Sequence, residues 1–276
     1  MYFSHMNNLQ NFLDTAVRAA REAGALALGM QSNLKDIRLK GLKDVVTEAD
    51  IACDAAIRKT LSEAHPDHDI VTEEEEALRR GKAGDRFTWF VDPIDGTINF
   101  SRGFPLWGIS VGLMRGNDMI AGAIFLPAVE ELYTAVAGGG AFLNGRPLHV
   151  STVASLDQAI LCHGDYNIGD TAEARGIINR RLHQMLSQAA GKVQRVKCLG
   201  CAVAESAYVA AGRMDAYCML AMKPWDVSVG SLLVTEAGGK VTRPDGSAFS
   251  VEGPDALFSN GILHERVLDA LGIKGK

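Results

Sequence analysis

The stretch Asp92-Pro93-Ile94-Asp95-Gly96 contains the residue types and the spacing that could most directly do chemistry. Two carboxylates flank the backbone carbonyl of Ile94, and hard cations such as Mg²⁺ prefer oxygen ligands of this kind. Gly96 has no side chain, so a phosphate group could approach the backbone amides of Gly96 and Thr97 at the start of a short helix. The pattern indicates either a metal site beside an anion site or an ordinary turn rich in aspartate and glycine.

Three more acidic positions could join this stretch. Glu73 is the first of four consecutive glutamates behind a short apolar run, and only this first member needs to point into a cleft. Asp226 lies at the start of a predicted helix, and Asp50 lies three residues after Thr47, a good N-cap residue. For Asp50 and Asp226 a capping role competes with a chemical one, because an acidic side chain in a first turn pairs with free backbone amides.

Hydrophobic periodicity predicts the elements that would position these residues. Apolar residues at three- and four-residue spacing predict a helix over residues 9–30, and a second helix follows Thr47. Residues 69–72 and 87–91 predict strands that end directly before acidic residues, with Pro93 expected to stop the second ladder. Because carboxylates at strand ends can line one cleft, this arrangement favours a binding site there.

The remaining elements suggest two lobes that meet near residue 150. Strands at 107–114, 119–125 and 131–135 predict an antiparallel meander, whereas the part after residue 150 alternates strands and helices. We therefore expect an N-terminal α+β lobe over residues 1–150 that carries most of the candidate ligands. A C-terminal α/β lobe over residues 151–276 would contribute Asp226.

The composition excludes several classes of protein. Hydrophobic residues make up 47% and charged residues 22% of the chain, which favours a folded globular protein. The net charge of −5 provides no basic face, so a nucleic-acid partner is not expected. No apolar run of about 18 residues could span a membrane, and five scattered cysteines favour reduced thiols in the cytoplasm. Cys198 and Cys201 form a C-x-x-C pair without a second pair to complete a zinc site.

Together the acidic motifs resemble those of the inositol monophosphatase family. This family is a branch of the lithium-sensitive, magnesium-dependent phosphatases, which also include fructose-1,6-bisphosphatases and bisphosphate nucleotidases. The resemblance implies a layered αβαβα fold of the inositol monophosphatase and fructose-1,6-bisphosphatase type, a homodimer, and roughly two to three Mg²⁺ ions per subunit. The motifs follow the family order, and they are 44–50 (Asp-Val-Val-Thr-Glu-Ala-Asp), Glu73-Glu74, 92–100 (Asp-Pro-Ile-Asp-Gly-Thr-Ile-Asn-Phe), Trp225-Asp226 and Glu236-Ala237-Gly238-Gly239.

The same resemblance implies which residues hold the metals. Glu73, Asp92 and the Ile94 carbonyl are similar to the ligands of the first ion. Asp92, Asp95 and Asp226 are similar to the ligands of the second ion, so Asp92 would bridge the two. A third, weaker ion would lie near Glu73. Metal ions held in this way would lower the pKa of an attacking water and screen the charge of the departing oxygen.

The catalytic and substrate-binding residues are also implied by the resemblance. Asp50 is similar to the aspartate that pairs with the threonine equivalent to Thr97, and this pair and Glu73 would orient the water or accept its proton. The amides of Gly96 and Thr97 would hold phosphate oxygens, and a leaving-group pocket would lie in the C-terminal lobe. The residues expected around the substrate are Asp95, Gly96, Thr97, Ala202, Met219 and Asp226.

One position departs from the family pattern and leaves the substrate open. Members that prefer inositol phosphate carry a hydroxyl-binding glutamate seven residues before the position of Asp226, where this chain has Met219. A thioether leaves the hydroxyls of such a substrate unpaired. The expected function is Mg²⁺-dependent hydrolysis of a small phosphate monoester, either inositol phosphate or a sugar phosphate. The alternatives are a 3′,5′-bisphosphate nucleotidase, a histidinol-phosphate phosphatase with an acidic pocket for the amine, and a regulatory module that keeps the fold and binds a protein or RNA.

Overall fold

A computed structural model describes residues 2–32, 34, 37–39, 45–74, 86–166, 168–169 and 171–272. Asp44, Glu75 and Glu76 of the predicted motifs lie outside these residues. The helices are α1 (Tyr2–Gln31), α2 (Glu48–Ala64), α3 (Thr97–Ser101), α4 (Ala172–Ala189), α5 (Ala202–Ala210), α6 (Pro224–Glu236) and α7 (His264–Leu271). The strands are β1 (Ile37–Leu39), β2 (Val45–Thr47), β3 (Asp69–Thr72), β4 (Phe87–Asp95), β5 (Gly108–Arg115), β6 (Asp118–Leu126), β7 (Glu131–Val136), β8 (Gly140–Leu143), β9 (Arg146–Pro147), β10 (Ile160–His163), β11 (Arg195–Lys197), β12 (Ala216–Leu220), β13 (Lys240–Thr242) and β14 (Asp255–Ser259).

Two main sheets organise the described residues. One has seven strands in the order β3-β4-β5-β6-β7-β8-β9, and the other has five in the order β11-β10-β12-β14-β13. The predicted meander is confirmed, because the strands from β5 to β9 pair antiparallel in sequence order. The first sheet is not purely antiparallel, since β3 pairs parallel with β4. Thr72 lies opposite Val91, so the chain leaves both strands at the same edge of the sheet.

Strand β4 extends further than the sequence predicted. It runs through Pro93 to Asp95 rather than ending at Val91. Asp92 pairs with Ser110 and Asp95 pairs with Gly108, so three residue spacings of β4 lie opposite two of β5, which is a β-bulge. Proline has no N–H to donate to a neighbouring strand. Because Pro93 lies in the bulge, where the regular pairing is interrupted, no hydrogen bond between β4 and β5 is lost.

The helices form three layers around the two sheets, which confirms the predicted αβαβα sandwich. Helices α1 and α2 pack on one face of the seven-stranded sheet, and α6 packs on its other face. Helices α5 and α6 lie between the sheets, where residues such as Ile124, Val229 and Phe258 share one core. Helices α4 and α7 cover the outer face of the five-stranded sheet. Residue 150 falls between β9 and β10, where the chain passes from one sheet to the other, and its status as a domain boundary stays a prediction.

The middle layer is tightly packed where α5 crosses α6. Gly230 of α6 lies so close to Ser206 of α5 that a Cβ atom at position 230 would collide with the Ser206 side chain. Gly112 of β5 approaches Val229 of α6 almost as closely, since a Cβ atom there would lie 2.8 Å from a Val229 methyl group. Glycine at these positions therefore sets the distance of α6 from both of its neighbours. No helix in the described part of the chain is long and apolar enough to cross a membrane.

Candidate functional site

A cleft of about 190 Å³ opens where strands and helices of both halves of the chain meet. Its walls come from the ends of β4 and β10, from the starts of α3, α5 and α6, and from β12. Except for Asp50, every residue that the sequence predicted for the site lines this cleft. These residues are Glu73, Asp92, Ile94, Asp95, Gly96, Thr97, Ala202, Met219 and Asp226.

Three carboxylates converge at one end of the cleft. Asp92 and Asp95 on β4 and Asp226 on α6 each offer an oxygen, and these oxygens lie within 4.8 Å of one another. Glu73 lines the same cleft but is not part of this carboxylate triad. Its backbone N–H donates to the carbonyl of Val91, at 3.3 Å, which places Glu73 beside Asp92. Residues more than 130 positions apart thus meet around one small volume.

Burial makes this concentration of carboxylates electrostatically costly. Asp92 is 1% exposed, and burial together with the charge of Glu73 raises its pKa well above the usual range. Burial also raises the pKa of Asp95 to about 6, although a hydrogen bond from the Val203 amide partly offsets it. The pKa of Asp226 is raised well above its usual range, first by burial and then by the charge of Asp95. A bound cation would relieve all three effects.

The donor set fits a hard divalent cation such as Mg²⁺. Asp92 Oδ1 is buried and has no hydrogen-bond partner among the described residues, although a buried carboxylate oxygen without a partner is strongly unfavourable. The donors of the triad are all carboxylate oxygens, which suits Mg²⁺ better than a metal that prefers sulfur or nitrogen. The structure describes Cys201 beside the cleft, but its thiol donates to the backbone carbonyl of Asp95 at 3.7 Å.

Asp95 and Asp226 also act as helix caps. Asp95 Oδ2 accepts a hydrogen bond of 2.8 Å from the amide of Val203 in the first turn of α5. Asp226 Oδ2 accepts one of 2.9 Å from the amide of Lys223 before α6. Each of these bonds uses a single oxygen of its carboxylate, so capping and ligand roles are compatible. The bond between Asp95 and Val203 also ties β4 directly to the middle layer.

Asp50 reaches the cleft through Thr97. Its Oδ2 accepts hydrogen bonds from the backbone amide and the hydroxyl of Thr47, at 2.8 and 2.5 Å, which completes a capping box on α2. Its Oδ1 accepts a bond of 3.2 Å from the hydroxyl of Thr97, whose oxygen also lies 3.0 Å from the carbonyl of Ile94. Asp50 therefore caps a helix and orients a hydroxyl at the same time.

Gly96 occupies a turn that no other residue would fit easily. Its φ of 81° lies in the left-handed region, and a Cβ atom there would lie 3.0 Å from the carbonyl oxygen of Gly200. Asn99 fixes the same region, since its side-chain amide donates to the carbonyls of Leu106 and Leu199, both at 2.8 Å. The start of α3 is thereby held against the loop that precedes α5.

The lining of the cleft also includes apolar side chains and further acidic ones. Met219 and Ala202 line it, as predicted, and both are buried. Three residues that were not predicted from the sequence line it as well, namely Asp165, Glu205 and Tyr217. Burial raises the pKa of Glu205 to about 8, partly against hydrogen bonds that lower it. Glu205 could have been noticed as the one charged residue in the sequence of α5, Ala-Val-Ala-Glu-Ser-Ala-Tyr-Val-Ala.

Solved structures share this layered arrangement and define its class. The extragenic suppressor protein SuhB of Bartonella henselae superposes with a TM-score of 0.85 at 31% identity, covering 94% of this chain and 97% of SuhB. An IMPase of Thermotoga maritima gives 0.83 at 31% identity, covering 94% and 96% of the two chains. The fold is therefore the one adopted by inositol monophosphatases and SuhB proteins.

The sequence comparisons identify the family. Inositol monophosphatase 2 of Solanum lycopersicum is 35% identical over 271 residues, which cover 95% of this chain and 98% of that protein. The model of the inositol monophosphatase family matches residues 8–275. The chain belongs to this family of phosphoric monoester hydrolases, whose members are generally Mg²⁺-dependent.

Proposed function

We propose that this chain hydrolyses a small phosphate monoester in a Mg²⁺-dependent reaction, with inositol phosphate or a sugar phosphate as the first substrates to test. The observation that supports this most directly is the carboxylate triad, whose oxygens lie within 4.8 Å of one another in a cleft. Family membership supports the same chemistry. In keeping with the resemblance, we also propose a homodimer, which light scattering of the purified protein would test.

The residues proposed to hold Mg²⁺ are those at the triad end of the cleft. They are Glu73, Asp92, the Ile94 carbonyl, Asp95 and Asp226, all of which line it. When bound there, about two to three Mg²⁺ ions would neutralise the phosphate charge, lower the pKa of the attacking water and stabilise the departing oxygen. The raised pKa values of Asp92 and Asp226 are consistent with this role, because Asp92 is buried, Asp226 is half-buried and both lie close to other negative charge.

The chain's own groups would orient the reactants. Asp50 holds the Thr97 hydroxyl, so that this oxygen and the Glu73 carboxylate can position the attacking water and take up its proton. The backbone amides of Gly96 and Thr97 would donate to phosphate oxygens, because the glycine leaves the backbone accessible.

Release of inorganic phosphate tests the proposed function. The purified protein would be incubated with inositol 1-phosphate, several sugar phosphates and an aryl phosphate, each with Mg²⁺ and with EDTA. We expect Mg²⁺-dependent release from at least one of them. If no substrate releases phosphate in either condition, the proposed function is wrong.

The charges that line the cleft help to choose among the alternative phosphatase activities. None of the described residues that line the cleft is Lys, Arg or His. A second phosphate group would find no cationic partner there, which disfavours a 3′,5′-bisphosphate nucleotidase. Asp165, together with Glu205 above its pKa of about 8, instead suits a leaving group that carries an amine. An amino-alcohol phosphate, of which histidinol phosphate is one, is therefore the second candidate.

Mg²⁺ should stabilise the protein more strongly at pH 8 than at pH 5. Burial raises the pKa of Asp95 to about 6, and Asp92 and Asp226 are shifted in the same direction. Their folded-state pKa values lie above the unfolded values, so without metal their contribution to stability is present at low pH and is lost as the pH rises. Protons therefore compete with Mg²⁺ at pH 5, whereas at pH 8 the carboxylates are available.

Thermal unfolding with and without Mg²⁺ measures this effect. At about 100 times the dissociation constant, bound ligand adds about 2.7 kcal/mol, which corresponds to a rise in Tm of roughly 5–10 °C for a protein of this size. We expect such a rise at pH 8, a smaller one at pH 5, and almost none in an Asp226→Asn variant. Equal shifts at both pH values, or an undiminished shift in the variant, would contradict the proposed metal site.

An Asp95→Asn variant distinguishes an enzyme from a regulatory module that keeps the fold. The asparagine oxygen can still accept the hydrogen bond from the Val203 amide, so the variant should fold. It lacks the negative charge of a ligand, and we expect turnover to fall by at least roughly a hundredfold and metal binding to weaken. Phosphate release and Mg²⁺ titration measure both quantities. A protein or RNA partner that still binds this inactive variant would show a second, non-catalytic role.

A further inference from the structure

Glu205 is a buried carboxyl group that lines the same cleft as the carboxylate triad but is not part of the triad. The residue is 1% exposed and lies in the first turn of α5, where it lines the cleft together with Met219 and Ala202. Its Oε1 accepts hydrogen bonds from the Leu199 amide at 2.7 Å and from the Cys162 thiol at 3.2 Å. These bonds fix the position of the carboxyl group and do not involve Oε2.

Tyr217 presents a second polar group to the same space. Its ring is fully buried and stacks on Phe258, with ring centroids 5.6 Å apart. Its hydroxyl lies within hydrogen-bonding reach of Glu205 and lowers the pKa of that carboxyl group, although the geometry of this bond is poor. A phenol hydroxyl that donates its proton to Glu205 keeps lone pairs that can accept a hydrogen bond from a ligand in the cleft.

Both groups surround the place where the family pattern has a glutamate and this chain has Met219. Tyr217 and Met219 are two residues apart on β12, so their side chains lie on the same face of the strand. A Cβ atom at Gly164 would lie 3.2 Å from Met219 Cγ and 3.6 Å from the Tyr217 hydroxyl. The missing side chain at Gly164 therefore leaves room for a ligand between these groups and the rest of the cleft.

We propose that Glu205 and the Tyr217 hydroxyl bind hydrogen-bond donors of the leaving alcohol and so determine which phosphate monoester the protein accepts. They take over the part of substrate recognition that Met219 cannot perform. The donors are hydroxyl or ammonium groups, and Met219 with Ala202 contacts the carbon skeleton. This specificity role rests on the proposed phosphatase function, because it names the residues of the same cleft that bind the leaving alcohol.

The local charge limits the leaving groups that fit. Asp165 is exposed at the rim, and its carboxylate accepts a bond of 3.0 Å from the thiol of Cys198. The described lining combines Asp165 and Glu205 with no cationic side chain. Burial raises the pKa of Glu205 to about 8, so its carboxyl group is charged only at higher pH. Above that pH a neutral polyol or an ammonium-bearing alcohol is compatible with this surface, whereas an alcohol with a second phosphate group is repelled.

Two variants test the assignment. Glu205→Gln keeps the shape and an oxygen for the Leu199 amide but removes the carboxylate, and Tyr217→Phe removes only the hydroxyl. Glu63→Gln, on the exposed surface of α2, is the matched control. Each protein would be assayed at about pH 9, above the pKa of about 8 of Glu205, so that the wild type carries the carboxylate. The substrates are inositol 1-phosphate, 2-aminoethyl phosphate, fructose 1,6-bisphosphate and 4-nitrophenyl phosphate, whose leaving group carries no donor. The readout is kcat/KM for each substrate divided by kcat/KM for 4-nitrophenyl phosphate.

We expect this ratio to fall roughly tenfold for a donor-bearing substrate in Tyr217→Phe, as for one lost hydrogen bond. In Glu205→Gln we expect a fall of roughly a hundredfold if the preferred donor is an ammonium group, and about tenfold if it is a hydroxyl. The wild type should turn over the bisphosphate poorly. Thermal melts of each variant confirm that it is folded.

Three outcomes would overturn the assignment. If the kcat/KM ratios stay at the wild-type value in both folded variants, neither group binds the leaving alcohol. A preference of the wild type for the bisphosphate is incompatible with the acidic lining. Loss of activity that is equal for all four substrates shows a general structural role instead. If the wild type hydrolyses none of them with Mg²⁺, the proposed function fails first, and this result is distinct from the other three.

Discussion

The Asp92→Asn variant is expected to lose roughly a thousandfold or more of kcat/KM at saturating Mg²⁺, because it removes the charge at the centre of the carboxylate triad. Asp92 is the most buried member of that triad, and its pKa is raised by burial and by Glu73, Asp95 and Asp226 in turn. An asparagine has nearly the same shape but cannot supply an anionic oxygen to a divalent cation.

The same substitution should make the metal-free protein more stable. At pH 7 the metal-free folded state must either hold a buried negative charge near other carboxylates or take up a proton that the unfolded chain does not bind, and asparagine removes both costs. We therefore expect the Tm in EDTA to equal or exceed that of the wild type, while the stabilisation by Mg²⁺ disappears. Asp118→Asn, at the exposed start of β6, is the matched control and should leave both properties unchanged. More than about a tenth of wild-type activity, or a lower Tm in EDTA, would argue against a central metal role for Asp92.

The second large effect is expected from Thr97→Val. The Thr97 oxygen lies 3.2 Å from Asp50 Oδ1 and 3.0 Å from the Ile94 carbonyl, and its single proton can be donated to only one of them at a time. Its lone pairs remain able to accept a bond from an attacking water. Valine keeps the branched shape and its rotamer, so we expect kcat to fall by roughly a hundredfold to a thousandfold with little structural change.

Metal titration separates this effect from loss of Mg²⁺. The proposed ligands are untouched in Thr97→Val, so its Mg²⁺ affinity should stay close to that of the wild type while its kcat falls. Thr60→Val, on α2, removes a hydroxyl that bonds to Glu22 on the surface and serves as the control. If Thr97→Val weakens Mg²⁺ binding as strongly as it slows turnover, Thr97 supports the metal site rather than the water.

The parts of the site that the sequence predicted are those encoded by short local motifs. Asp92, Asp95 and Gly96 follow one another on a single strand and turn, so their proximity needs no tertiary information. The approach of Asp226 to this strand depends on how α6 packs between two sheets, and it was expected only through the family resemblance. For Asp50 and Asp226 the choice between a cap and a chemical role was open, and the hydrogen bonds show that the capping function is present in both.

Other features depended on packing that a single sequence does not reveal. The extension of β4 through Pro93 requires the matching register of β5, which forms the bulge. Strand β13 has only three residues, and its pairing with β14 is determined by the tertiary structure. Glu205 and Tyr217 belong to different elements, α5 and β12, and no periodicity in the sequence brings them to one pocket.

The close contact of Gly230 with Ser206 makes the affinity for the cation sensitive to mutation at a position outside the cleft. Gly230 lies one helical turn after Asp226, so the two residues are on the same side of α6. A methyl group at position 230 would push α6 away from α5 and carry the Asp226 carboxylate with it. A substitution at position 230 can therefore change the affinity for the ion during evolution, although this position contacts neither the substrate nor the ion. Mutagenesis confined to residues that line the cleft would overlook it.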